Sequence, residues 1–222
     1  MTDEFKGPKK RFNLARDLAR SALKEFNLRD IAKKAGGELT DSGAGTDAIT
    51  FHYLGKKLSV KQPDMDISVD PDDWADMGKQ LSIQEEIFIL HYLVNATGKS
   101  PSGNLIPFRN MDGGMVYESV FRGRAVNRLV HTFRDKEDML LTAGNKLGGT
   151  PGDMGSVSLK LQALPNFVLT IILWKGDEEM PSSGNILFDD SVTDYLPTED
   201  CTVLAESVAG RLVHELSQLL EK

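Results

Sequence analysis

A single cysteine, Cys201, in 222 residues excludes an internal disulfide and a cysteine-built metal cluster, and it fits a reducing compartment. Long apolar runs are also missing. Ile87–Leu90 and Val168–Trp174 are too short or too interrupted to cross a bilayer. The stretch from Met1 to Arg11 carries Glu4, Lys6, Lys9 and Lys10 with no apolar core, so no secretory leader is expected. Aromatic residues make up only 7% of the chain. Together these absences predict a cytoplasmic protein with neither membrane nor nucleic acid as partner.

Motifs that would fix a reaction are missing too. The glycine-rich run Leu147 to Gly155 has no Gly-Lys-Ser/Thr and follows a helix, so it is neither a P-loop nor a dinucleotide fingerprint. It reads as a plain loop or as a flap over a site. No Gly-x-Ser-x-Gly elbow occurs. The histidines stand at 52, 91, 131 and 214, never four apart as a helical metal pair would be. Asp64, Asp66, Asp70, Asp72, Asp73 and Asp76 lack the central glycine and closing glutamate of a calcium loop. No metal site is expected.

What is present describes an ordinary globular chain, 40% hydrophobic and 27% charged. Its net charge of −7 is unevenly spread. Residues 1–36 hold ten Lys/Arg against five Asp/Glu, and residues 176–222 hold two against eleven. The ends can attract one another across the surface, or the basic arm can dock on an anionic partner. Nucleic acid is disfavoured because the whole chain is acidic and the basic face of the first helix carries no aromatic side chains for stacking.

Periodicity predicts helices over Phe12–Phe26 and Leu28–Ala35, with a basic segment to residue 36 and a main body over 37–222, all one α+β domain. Residues 37–47 read as a loop, followed by a hairpin of Ile49–Tyr53 and Leu58–Val60. Ser82–Ala96 opens with a capping box, Ser82 and Glu85, and its apolar residues wrap around the helix, so it should be buried. A third long helix is expected from Val116 to Phe133, with Val116, Val120, Leu129, Val130 and Phe133 inward and Gly123 weakening its middle. Val157–Leu161 and Phe167–Trp174 form a second hairpin, and Glu199–Leu220 a final helix. The expected fold is an antiparallel sheet from two hairpins with helices packed on it.

Candidate site residues are polar groups on otherwise apolar elements. His91 lies mid-helix beside Tyr92, and serves as a core histidine, an axial ligand or an acid/base group at a pocket wall. Arg109, Arg122, Arg124 and Arg128 suit an anionic ligand, the last two sharing a helix face. Asp177, Glu178 and Glu179, beside Trp174, can act as a general acid, bind a hard cation, or pair with those arginines. Cys201 reads as packing.

These elements resemble a known family. His91-Tyr92-Leu93, Phe108-Arg109, Gly113-Gly114 with Tyr117, Phe121 and Arg122, Leu147-Gly148-Gly149 and Gly152-Asp153 are similar to the family called domain of unknown function 3786. So are Leu173 to Pro181, Ile186-Leu187-Phe188-Asp189 and Tyr195-Leu196-Pro197-Thr198-Glu199-Asp200. The likeness spans about residues 28–220, with Met180 in place of a phenylalanine. It implies a protein of anaerobic bacteria or archaea, in a family some of whose members carry an iron–sulfur module like that of corrinoid one-carbon proteins. With one cysteine, this chain would leave any cluster to a partner, an iron–sulfur or corrinoid protein. The leading expectation is a non-catalytic binding protein for a small ligand or cofactor, a corrinoid or other tetrapyrrole among them. Its site would join His91, Tyr92, Arg109, Tyr117, Arg122, Trp174, Asp177, Glu178 and Glu179. The alternatives are an enzyme using the Asp177–Glu179 loop for acid/base chemistry, and a protein-interaction scaffold.

Overall fold

A computed structural model describes residues 7–41, 47–70 and 81–221. Helix α1 (Pro8–Lys24) starts on a proline, at the position where its missing N–H has no helical partner to lose. Helix α2 (Leu28–Lys34) is capped by Asn27, whose side chain accepts from the N–H groups of Arg29 and Asp30 at 2.9 and 3.2 Å. A four-stranded antiparallel sheet follows in simple order: β1 (Glu38–Asp41), β2 (Asp47–Tyr53), β3 (Lys56–Lys61) and β4 (Asp66–Val69). Strand β1 replaces part of the loop expected over 37–47. Glu38 to Asp41 pair with Thr50 to Asp47, and Leu39 packs on the core, so pairing overrides a polar local composition. Asp72, Asp73 and Asp76 of the aspartate string lie outside the described residues.

The capping box is present as expected at α3 (Ile83–Val94): Ser82 Oγ accepts from the Glu85 N–H, and Glu85 accepts from the Ser82 N–H. Phe88, Ile89, Leu90, Tyr92 and Leu93 are all buried, which makes α3 the central helix. After β5 (Leu105–Pro107) and a 3-10 turn (Phe108–Asn110), α4 (Gly114–Phe121) runs through a π turn (Arg122–Val126) into α5 (Asn127–Phe133). The π turn sits where Gly123 was expected to weaken the helix, and its wider coil shifts the inward stripe. Phe121, Ala125, Leu129 and Phe133 point inward, whereas Val116 and Val120 are exposed, contrary to the sequence expectation. Helix α6 (Glu137–Lys146) was not foreseen; Gly144 within it lies against Leu159 with no room for a Cβ.

A five-stranded antiparallel sheet, in the order β5–β9–β8–β7–β6, is built from β6 (Thr150–Pro151), β7 (Val157–Leu164), β8 (Phe167–Trp174) and β9 (Ser183–Asp189) with β5. Its centre, β8, is buried along its length except at Trp174, which explains its unbroken apolar reading. A 3-10 turn (Asp190–Asp194) leads into α7 (Thr198–Leu220). The α+β class and antiparallel pairing hold, with each hairpin in a sheet of its own.

The two sheets touch through backbone. Leu54 N–H donates to the Ala163 carbonyl at 2.9 Å. Beside that bond Gly55 faces Gly148, both in the left-handed region at φ +74° and +75°, where side chains are disfavoured. A Cβ on Gly55 would lie 3.3 Å from the Gly148 nitrogen. One hydrophobic cluster runs through α1, α2, both sheets and α3 to α7. Among the described residues no helix is long and apolar enough to cross a membrane.

Candidate functional site

Helices α3 and α7 run antiparallel, and two polar rungs bridge them. At one rung Glu85 meets Arg211; at the other His91 meets Asp200. Both rungs lie between the same two helices, whose Phe88, Leu204 and Val208 are buried.

The Glu85 rung is almost sealed from water. Its Oε1 accepts from Arg211 Nε at 2.9 Å, from Arg211 Nη2, from Ser207 Oγ, and from the Tyr53 hydroxyl at 3.1 Å. Its Oε2 accepts from the Ser82 N–H at 2.8 Å. One carboxylate therefore caps α3 and anchors α7 and β2. Burial alone would raise the Glu85 carboxyl, but the Arg211 charge and the hydrogen bonds from Ser207, Ser82 and Arg211 outweigh it and hold the group below its usual range. Tyr53 is driven the other way, by burial and by the adjacent Glu85 charge. The Arg211 guanidinium carbon stands 5.6 Å from the centre of the Tyr53 ring.

Beside this rung opens a cavity of about 250 Å³, lined by Gln84, Arg128, Val203, Glu206, Gly210 and His214 as well as the rung itself. Glu206 is paired with Arg124 at 3.4 Å. Arg128 lies across Gly210, where a Cβ would stand 3.2 Å from its Nη1, and it makes no ion pair with a described residue. The His214 Nε2 is buried without a hydrogen-bond partner among the described residues.

At the second rung, His91 Nδ1 and Asp200 Oδ2 are 2.6 Å apart. The hydrogen bond that its Nδ1–H donates to Asp200 raises the His91 imidazole above its ordinary value of 6.5, against the smaller opposing effect of burial. The ring is half-buried, and its Nε2 makes no hydrogen bond with a described residue.

The nine residues singled out from sequence fall into three neighbourhoods. His91 and Tyr92 sit at the end of α3, but Tyr92 is a core group: its hydroxyl donates to the Ala35 carbonyl at 2.8 Å and accepts from the Asn166 N–H at 3.0 Å, and its ring stacks on Tyr195 at 5.1 Å. Arg109, Tyr117 and Arg122 lie on or beside α4, with Arg122 4.0 Å from Glu118. Trp174 ends β8, and Asp177, Glu178 and Glu179 follow in an exposed loop. Asp177 Oδ1 accepts from the N–H groups of Glu179 and Met180 at 2.9 and 2.8 Å. Those backbone donors, Met180 first, lower its carboxyl, the opposite of what a general acid at neutral pH needs. None of the three carboxylates makes an ion pair with a described residue. None of the nine lines the cavity at Glu85.

Sequence reading missed Arg211, Ser207 and Tyr53, and saw Glu85 only as a cap. A signal existed for Arg211: it keeps the helical spacing of Leu204, Val208 and Leu212, a cation inside an apolar stripe. A further cavity, about 380 Å³, lies on the outer face of the five-stranded sheet between Ser102-Gly103, Gly152–Met154, Lys160 and Thr170. Asp189 at its wall is spent on structure, accepting from the N–H groups of Ser102, Gly103 and Ser191. The glycine-rich run forms part of this rim, and Thr150–Pro151 within it pairs with β7. Among the described residues no three His, Cys, Asp or Glu side chains group as a metal site.

The family described as Domain of unknown function (DUF3786) matches residues 27–211. The chain belongs to that family. The match takes in α3, both sheets and the Glu85–Arg211 rung. No curated protein and no solved structure matches the chain.

Replacing Arg211 by Met strands a buried carboxylate, and the expected loss is about 3–5 kcal/mol in urea unfolding. Combining it with Glu85→Leu should recover part of that loss; a double variant no better than the single one would refute the pairing. The His91–Asp200 rung gives a pH signature. Because the folded imidazole is raised above 6.5, the pair's contribution is full between the carboxylate range and 6.5, and is lost as pH rises through the raised value. The gap in urea midpoint between wild type and His91→Gln should therefore narrow as pH climbs. A gap that stays constant from pH 6 to well above it would mean that the ring is never charged in the folded state.

Proposed function

We propose that this member of the family is a non-catalytic binding protein that holds a small anionic ligand in the cavity between α3 and α7. The supporting observation is Arg128. Glu85 is matched by Arg211 and Glu206 by Arg124, which leaves the Arg128 guanidinium as the uncompensated charge among the described groups lining the cavity. A guanidinium presents paired donors that suit a carboxylate or a phosphate. Gly210 leaves the space through which that group reaches the cavity. The floor favours binding over acid/base turnover, because Glu85 is held down and Tyr53 pushed up, so neither exchanges a proton near neutrality. The setting in anaerobic cofactor or one-carbon metabolism, expected from the family likeness, is part of this reading.

A second reading rests on His91. A carboxylate on Nδ1 fixes the ring and its tautomer and makes the other nitrogen a better metal donor, and Nε2 makes no hydrogen bond with a described residue. His91 would be the residue that holds the metal of a tetrapyrrole or corrinoid, which would supply electron or one-carbon chemistry when bound. No cavity described above is lined by His91, so such a ring would lie on the surface at the end of α3.

Succinate and inorganic phosphate are the probes for the first reading. At least one should raise the melting temperature above a chloride control of equal ionic strength, by an amount equivalent to about 2.7 kcal/mol at a hundredfold excess over Kd. Arg128→Ala should abolish the response. No rise with either anion, or an unchanged response in the variant, overturns it. For the second reading, haem or cobalamin added to anaerobically purified protein should shift the visible spectrum of the wild type and not of His91→Ala. An unshifted wild-type spectrum removes the tetrapyrrole.

A further inference from the structure

The solvent side of α4 carries side chains of the kind found in cores. Met115 is 81% exposed and Val116 80%, with Val120 and Tyr117 continuing the surface, while Phe121 on the opposite side is fully buried. Contiguous apolar surface of this kind marks a contact face. Cations border it. Arg109 sits on the 3-10 turn that is fixed to α4 by the stacking of Phe108 on Phe121, 4.1 Å between ring centres. Arg109 makes no ion pair with a described residue, and Arg122 reaches Glu118 only at 4.0 Å.

The complementary chemistry occupies another surface of the same chain. Glu178 and Glu179 are exposed and unpaired with any described residue. They stand between Trp174 and Met180, which are 42% and 67% exposed. The turn that Asp177 makes onto the Glu179 and Met180 N–H groups gives this loop a fixed shape. The two surfaces lie towards opposite ends of one helical run. From Gly114 to Phe133, α4, the π turn and α5 are continuous, about 30 Å at 1.5 Å per residue. The apolar face is at the first end. Towards the other, Asn127, Val130, His131 and Arg134 flank the loop's return at Pro181-Ser182.

An apolar, arginine-edged face at one end of this helical run and an apolar, carboxylate-bearing loop beside its other end are complementary between copies, and a two-fold axis across the run makes both contacts at once. We propose that the chain forms a two-fold dimer in which the Trp174–Met180 loop of each copy docks on the α4 face of the other. Trp174 and Met180 cover Met115, Val116 and Val120, and Glu178 and Glu179 meet Arg109 and Arg122. This dimer uses no residue that lines the α3–α7 cavity, so its failure and the failure of ligand binding are separate outcomes.

Sedimentation velocity over a concentration series tests it. The wild type should move from monomer to dimer. Arg109→Glu alone, and Glu178→Lys with Glu179→Lys in a second protein, should each weaken dimerisation by about tenfold or more through like charges facing each other. Mixing the two variants should restore a dimer, because each reversed charge then faces its opposite. Val116→Asp, at a solvent-facing position, should also give a monomer with an unchanged circular dichroism spectrum. A wild type that stays monomeric throughout, single variants that dimerise like the wild type, or a mixture that stays monomeric would each overturn the proposal.

Discussion

A carboxylate withdrawn from water must be matched at every lone pair, and in this chain that requirement falls on Glu85. Its two oxygens take donors from the start of α3, from two positions of α7 and from β2. The position of the central helix is therefore tied at one end to a single group. A charge pair in such a place is a weak source of net stability but a strict one for geometry, because each alternative packing leaves an ion unmatched. The aromatic end of α3 holds the other side in neutral terms: Tyr92 spans Ala35 and Asn166, and stacks on Tyr195.

Much of the architecture was readable because local and tertiary preferences agree there. The Ser82–Glu85 box, the apolar run of β8 and the turn at Pro165-Asn166 each state their structure in a few residues. The failures occur where partners are distant. Strand β1 has a polar, glycine-flanked sequence and exists because β2 offers an edge. In the long helix the sequence suggests one regular stripe through Val116 and Val120, but the π turn at Arg122–Val126 inserts a residue's worth of rotation. The extra residue brings Phe121 onto the face of Ala125, Leu129 and Phe133, while Val116 and Val120 stay on the solvent side.

The candidate site was less legible than the fold, for the same reason. His91 could be singled out as a polar residue on a buried helix, and its partner Asp200 ends the Tyr195–Asp200 segment, yet nothing in the sequence joined them across 109 positions. Arg128 was noticed as a helix-face cation, while the groups that neutralise its neighbours, Arg211 and Arg124, gain that meaning only in the folded chain. The acidic loop illustrates the converse. Three adjacent carboxylates suggested reactivity, but Asp177 is occupied in shaping a turn.

The meeting of Gly55 with Gly148 has a bearing on how variation spreads through this molecule. Where sheets are joined by interlocking side chains, a change of volume on one side can be absorbed by a rotamer on the other. Here main chain rests on main chain, and no rotamer is available to yield. A single added methyl at either glycine would therefore be passed on as a displacement of the β2–β3 turn against the link between α6 and β6.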